Sequence, residues 1–244
     1  MSLMKRLFTT AAAATAATVL FAGAAHAEAA FTGNVALTSD YVFRGISQSD
    51  GDPAIQGGFD YTNEVGGVPI YAGAWGSNIE FFVDGSLEVD LYGGIRPTLG
   101  PVTFDLGFIA YLYPGMDSEA QYWELKAGAS VAPVQNLTIG GALYWSPDFS
   151  FTNDADALYA EVNAAYTFNE TFAMSGAIGN QEVDSPSYFA PGEDSYTTWN
   201  VGGTVSAWGF GFDLRYFDTD IDIAGPGGDN VSDGRVVATI RRAL

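Results

Sequence analysis

From residue 31 to the C-terminus, apolar and polar residues alternate with a period of two. That spacing puts successive side chains on opposite faces of a β-strand. Twelve segments carry it: 31–46, 54–62, 69–77, 86–96, 102–112, 122–131, 137–146, 157–168, 171–181, 197–207, 210–219 and 235–244. No segment keeps a helical period, and neither an internal repeat larger than a hairpin nor a linker divides them. The longest uncharged run, 127–147, has the length of a membrane helix, but Gly128, Pro133, Asn136, Gly140 and Gly141 break it into two strands and a turn. The connections alternate as well. Long, acidic ones follow the odd-numbered segments, and short turns such as 63–67, 132–136, 169–170 and 208–209 follow the even ones. A meander with two such different ends predicts an all-β fold, a transmembrane antiparallel up-and-down β-barrel of about 12 strands. Both termini then lie at the short-turn end.

The two faces of each segment differ in kind. Val102, Phe104, Leu106, Phe108, Ala110 and Leu112 share one face of the fifth, and Leu158, Ala160, Val162, Ala164, Tyr166 and Phe168 share one face of the eighth. Charge reaches this apolar side only near strand ends, at Asp218 and Arg242, where its cost in a bilayer is small. The opposite side is rich in Gly, Ala, Ser, Thr and Tyr. By parity it carries Asp40, Arg44, Asp60, Glu88, Asp90, Arg96, Asp105, Glu124, Lys126, Glu161, Asp213 and Arg215, with Arg235 and Arg241 near the end of the chain. The first twelve are the candidate pore-lining residues. Inward Tyr92, Tyr111, Tyr144 and Tyr159 are placed to narrow the lumen. Trp75, Trp123, Trp145 and Trp199 fall at the long-connection end and Trp208 at a short turn. They are the expected membrane-interface aromatics, since amphipathic rings prefer headgroup depth. A soluble β-sandwich also alternates, but its water-facing side would be Lys-, Glu- and Thr-rich.

The N-terminus changes the inventory. Lys5 and Arg6, an uncharged stretch over 7–25 and the small-x-small end Ala25-His26-Ala27 form a secretory leader. Residues 1–27 are therefore expected to be cleaved, leaving 28–244 as one barrel. Cleavage removes the only histidine, and the chain has no cysteine. That excludes zinc on N/S ligands, haem or iron–sulfur ligation, and a Ser-His-Asp or Cys-His nucleophile. The net charge of −20 argues against nucleic acid. Glu88 and Asp90 share a face two residues apart, a spacing that chance supplies readily in an acidic strand, and it is not taken as a glycosidase pair. The run Asp218-Thr219-Asp220-Ile221-Asp222 begins like a calcium loop, but Ile223 stands where glycine is required. Its acids are read as solvated charge, with divalent bridging to lipopolysaccharide phosphates as the functional option. No metal, cofactor or catalytic residue is expected, and the chain is not read as an enzyme.

Several runs carry a family resemblance: 40–49 (Asp40-Tyr41-Val42-Phe43-Arg44-Gly45-Ile46-Ser47-Gln48-Ser49), then 53–61, 71–78, 88–94 and 113–115 in order. They resemble the proteobacterial family called TorF, whose members are described as porins by architecture rather than by a measured substrate. The resemblance covers nearly all of 28–244, by motif in the first half and by pattern in the second. It implies a bacterial outer-membrane channel for passive diffusion of small hydrophilic solutes or ions. Eight inward acids against six bases add a mild cation preference. The expected partners are outer-membrane lipid and lipopolysaccharide, the diffusing solutes or ions, and the barrel-assembly machinery. The chain ends in Arg241-Arg242-Ala243-Leu244, where such barrels commonly end in an aromatic residue. The alternative is a non-conducting structural or adhesive barrel whose loops bind lipopolysaccharide or a partner. Within the signature, Arg44 is the strongest single candidate, expected to pair with Asp40 or with an acid of a neighbouring strand.

Overall fold

The computed structural model describes residues 29–80, 86–116, 120–152 and 154–244. The expected leader, 1–27, lies outside the described residues. The strands are β1 (Ala30–Thr38), β2 (Val42–Phe43), β3 (Ile46–Ser47), β4 (Ala54–Val65), β5 (Val68–Asn78), β6 (Leu87–Ile95), β7 (Thr98–Leu99), β8 (Val102–Leu112), β9 (Tyr122–Val134), β10 (Leu137–Ser146), β11 (Ala157–Thr167), β12 (Phe172–Val183), β13 (Ser195–Ala207), β14 (Phe210–Thr219) and β15 (Arg235–Ala243). Apart from β2, β3 and the two-residue β7, they form one closed antiparallel sheet of twelve strands. β1 meets β15 from Asn34↔Ala243 to Thr38↔Thr239, and β6 meets β8 from Val89↔Leu112 to Ile95↔Leu106, so no wall strand keeps an open edge. The short turns are tight: Gly66 and Gly67 join β4 to β5 and Trp208 and Gly209 join β13 to β14, all at positive φ, which follows the twist of the flanking strands.

Parity sorts the wall as the alternation predicts. Ile55, Phe59, Leu91, Leu106, Val162, Ile178, Leu214 and Val236 point outward and are exposed, whereas a buried apolar cluster around Tyr41, Tyr111, Tyr122 and Phe149 fills part of the inside. This inverts a soluble protein, which hides large apolar patches from water. Trp123 packs on Phe108 and Trp145 at one end of the outer wall, with ring centroids 5.6 and 6.2 Å apart. Trp199 is outward, and Trp208 is exposed at the opposite end.

Two expectations are corrected. Trp75 is not an interface residue: it is 6% exposed, and its ring meets that of Tyr41 edge-on at 5.3 Å. It shares the parity of Tyr71, whose hydroxyl donates to Asp105 inside the barrel. The neighbours Ala72, Gly73 and Ala74 are small on both sides, so parity is not legible there. The first segment, 31–46, is not one strand either. The wall strand stops at Thr38, and residues 39–53 (loop 1) turn into the barrel, where Asp40, Tyr41, Val42, Arg44 and Ser47 are all buried. Both parities of this stretch face protein, so it has no lipid side.

Val134 and Val162 are equally exposed, at 59%, but Val162 is in the middle of β11 and Val134 ends β9 at a short turn. In a bilayer Val162→Arg is expected to cost about 2–4 kcal/mol and Val134→Arg about 0–1, measured by urea titration during refolding into phospholipid vesicles. Equal costs would contradict a lipid-facing wall.

Candidate functional site in the barrel lumen

Loop 1 builds the site. Past Thr38, whose hydroxyl donates to the Asp40 carbonyl at 2.8 Å, the chain forms a miniature hairpin in which Val42 pairs with Ser47 and Phe43 with Ile46. Its two-residue turn is Arg44 and Gly45, with φ of 47° and 84°. Gly45 is required twice over: only glycine adopts that φ freely, and a Cβ there would run into the side chains of Thr198 and Thr219. Asp40 fixes the base of the hairpin. It accepts from the Ser47 hydroxyl at 2.6 Å and from Arg235 Nη1 at 2.8 Å. Ser47 N–H donates to the Val231 carbonyl at 2.8 Å, and Gly227 N–H to Asp50 Oδ2 at 2.7 Å, which fastens loop 1 to the last long connection.

The tip carries Arg44 into the lumen. Its guanidinium donates to both oxygens of Glu124 at 2.8 Å and to Gln181 Oε1 at 2.7 Å. It lies 4.2 Å over the Tyr159 ring, with Phe43 at 4.7 Å and Tyr144 at 5.1 Å. Tyr159 in turn lies across Gly179, where a Cβ would strike its ring. The Tyr111 hydroxyl completes Glu124 at 3.0 Å, and the Tyr196 hydroxyl donates to the Arg44 carbonyl at 3.0 Å. Arg44 is 3% exposed and Glu124 1%. Strands β8 to β13 each place a residue against this tip. A buried bidentate pair with its remaining sites filled is the arrangement in which buried charge is tolerated. The expected alternatives for Arg44 resolve to Glu124, and Asp40 takes Arg235 instead.

Around the tip runs a chain of rings: Phe43 to Tyr111 at 5.8 Å, Tyr111 stacked on Tyr122 at 4.4 Å, Tyr122 to Phe149 at 4.8 Å, Phe149 to Tyr188 at 5.6 Å, Tyr188 to Phe189 at 4.9 Å and Phe189 to Tyr196 at 4.8 Å. Burial pushes the Tyr188 phenol up, so it stays a neutral donor to the Ser150 carbonyl at 2.8 Å. Loop 1 and these rings occupy the long-connection half of the interior. Of the four tyrosines expected to narrow the lumen, Tyr111 and Tyr159 are fully buried in this filling, whereas Tyr92 and Tyr144 are half-buried.

The other inward charges form separate groups. Asp105 accepts from Tyr71 at 2.7 Å, Lys126 at 2.9 Å and Arg96 at 3.4 Å, with Arg96 stacked 4.1 Å over Tyr71. Asp213 holds Arg215 Nε at 3.3 Å and accepts from Thr204 at 2.7 Å, while Arg215 also reaches Asn200 and Ser175. Asp60 accepts from Tyr92 at 2.6 Å; Glu161 accepts from Tyr159 and Asn163, both at 3.0 Å. Glu88 accepts from Tyr41 at 2.9 Å, with Asp90 beside it on β6. The sequence reading missed Gln181, Tyr41 and Tyr196. All three are uncharged; Gln181 carried the inward parity of its segment and Tyr41 a place in the 40–49 run, whereas Tyr196 lies outside the segment 197–207. Among the described residues no cluster of acids or histidines could hold a metal ion.

A family model described as "Bacterial protein of unknown function (Gcw_chp)" matches residues 22–244. No curated protein matches the chain. Among solved structures, an outer-membrane channel from Pseudomonas putida F1 is similar at 10% identity and a TM-score of 0.50, covering 88% of this chain and 95% of its own. The KdgM porin is similar at 8% identity and 0.50, covering 88% and 99%. At these identities the likeness is one of fold: this chain has the barrel architecture of outer-membrane channels.

Truncating Glu124 to alanine removes the bidentate carboxylate from the buried Arg44 guanidinium, and is expected to cost about 3–5 kcal/mol, seen as a lower melting temperature in detergent. The double variant Arg44→Met with Glu124→Met is expected to recover most of the loss. A Glu124→Ala variant that melts like the native barrel would show that the pair carries no such strain.

Proposed function

We propose, for a chain that belongs to the bacterial Gcw_chp family, that it is an outer-membrane channel for passive diffusion of small hydrophilic solutes or ions, with loop 1 as its constriction. The observation that carries this reading is a closed barrel whose outer wall is apolar and whose inner wall holds charged groups between loop 1 and the short-turn end. Flow is driven by a gradient and needs neither cofactor nor catalytic step. The mild cation preference finds support in the pairing: Asp60 and Glu161 accept from tyrosine hydroxyls, and in Glu161's case an amide, and among the described residues neither forms a salt bridge. The acidic long connections would face outward toward lipopolysaccharide and the short turns, with both termini, toward the periplasm. The barrel-assembly machinery would insert the chain from that side.

One observation favours the second reading, a non-conducting barrel that presents its loops: Arg44, Glu124, Tyr159 and Gln181 meet in the long-connection half of the lumen with almost no exposed surface. Conductance decides between them. In planar bilayers the native chain is expected to show small steps, and replacing residues 41–51 with a short glycine linker is expected to enlarge them severalfold. The reversal potential in asymmetric KCl should favour potassium. Silence of both proteins, together with no liposome swelling in small sugars, would leave the non-conducting barrel.

A further inference from the structure

Glu88 and Asp90 stand on the inward face of β6 at its long-connection end, 2% and 1% exposed. Loop 1 covers them. The Tyr41 hydroxyl donates to Glu88 Oε1 at 2.9 Å, and Asp90 stands two residues along on the same face of β6. Across the sheet, Ser77 faces Glu88, and Trp75 and Tyr111 face Asp90. Among the described residues the other ionisable groups near the pair are Tyr92 of β6, Tyr113, and Tyr122 and Glu124 of β9. Among the described residues neither acid forms an ion pair with a lysine or arginine. Arg44, the cation that loop 1 brings into this region, is taken by Glu124 and Gln181. Asp90 Oδ1 is buried and has no hydrogen-bond partner among the described residues.

Two carboxylates shut off from water without a cation cannot both be charged; one keeps a proton and donates it to the other. A protonated Asp90 accounts for the unpartnered oxygen. Its hydroxyl donates to Glu88, which also accepts from Tyr41. Its second oxygen, now the weak acceptor of a neutral acid, goes unpartnered at little cost.

We propose that Glu88 and Asp90 form a proton-binding site that holds loop 1 in the lumen, and that loss of the proton in alkaline solution releases the loop and opens the barrel. The proton leaves to hydroxide as water, and no other covalent bond changes. A second negative charge then lies beside Glu88 directly under Tyr41, and the seated loop is the part of this site that can move away. The opening rests on the reading of loop 1 as the constriction of a channel, so the test follows the loop itself as well as the current.

Val42 on the hairpin is 7% exposed. In a Val42→Cys variant, maleimide labelling at pH 9 is expected to outpace that at pH 6 by at least about tenfold, after normalisation to Asp184→Cys on an exposed connection. Adding Asp90→Asn, or Glu88→Gln as an independent neutral replacement, should shrink the ratio to within about twofold. Native-chain conductance should rise over the same pH range. Labelling that ignores pH, or that keeps its pH response in both neutral variants, would overturn the proton site. Labelling that responds while no current flows at either pH would leave the proton site in place and remove the channel reading.

Discussion

A sheet closed on itself has two surfaces and no edge, and every other feature of this molecule follows from what each surface meets. The outer surface carries rows of leucine, isoleucine, valine and phenylalanine that none of the other described residues covers. The inner surface encloses a small volume that must hold either water or protein. Twelve strands leave room for little more than side chains and one inserted segment. Loop 1 enters that space together with Phe149, Tyr188 and Phe189 of the other long connections, which divides the interior into a filled half and a charged, half-exposed one.

Holding a loop inside a barrel requires interactions that outweigh its lost freedom. Here they are polar at the centre and aromatic around it. Arg44 is bound by a bidentate carboxylate, an amide oxygen and the faces of three rings. Because breaking a buried ion pair costs more than forming it gains, the pair acts chiefly to fix position: a shift of the tip in any direction strands a charge. The rings of Tyr111, Tyr122, Phe149, Tyr188 and Phe189 supply the apolar contact that the tip itself lacks.

The same enclosure gives Glu88 and Asp90 their character. On an exposed strand two acids at this spacing would be ordinary solvated charges. Beneath Tyr41 they are cut off from water and, among the described residues, from any ion pair with a cation, and their protonation becomes tied to the position of the loop above them. Arg44 and the acid pair therefore hold loop 1 by different means, one by charge pairing and the other by withholding charge.

The sequence by itself determined the architecture. A period of two on one chain, long and short connections in turn, and uncharged faces suffice for a barrel because lipid and lumen each act on every second residue alike. The outward parity of Trp145 and Trp199 was legible for the same reason, each lying in a strand of clear alternation. Trp75 was not, because the residues before it are small on both faces. Nor was loop 1: a hairpin surrounded by protein shows the same alternation as a wall strand, and its turn uses Arg44-Gly45 rather than an asparagine-glycine signal. The partner of Arg44 is 80 residues away on β9 and that of Asp40 is 195 away on β15. Such pairings depend on which strands face one another across the closed lumen, and only the tertiary structure decides that, since closure and not local pattern brings those residues together.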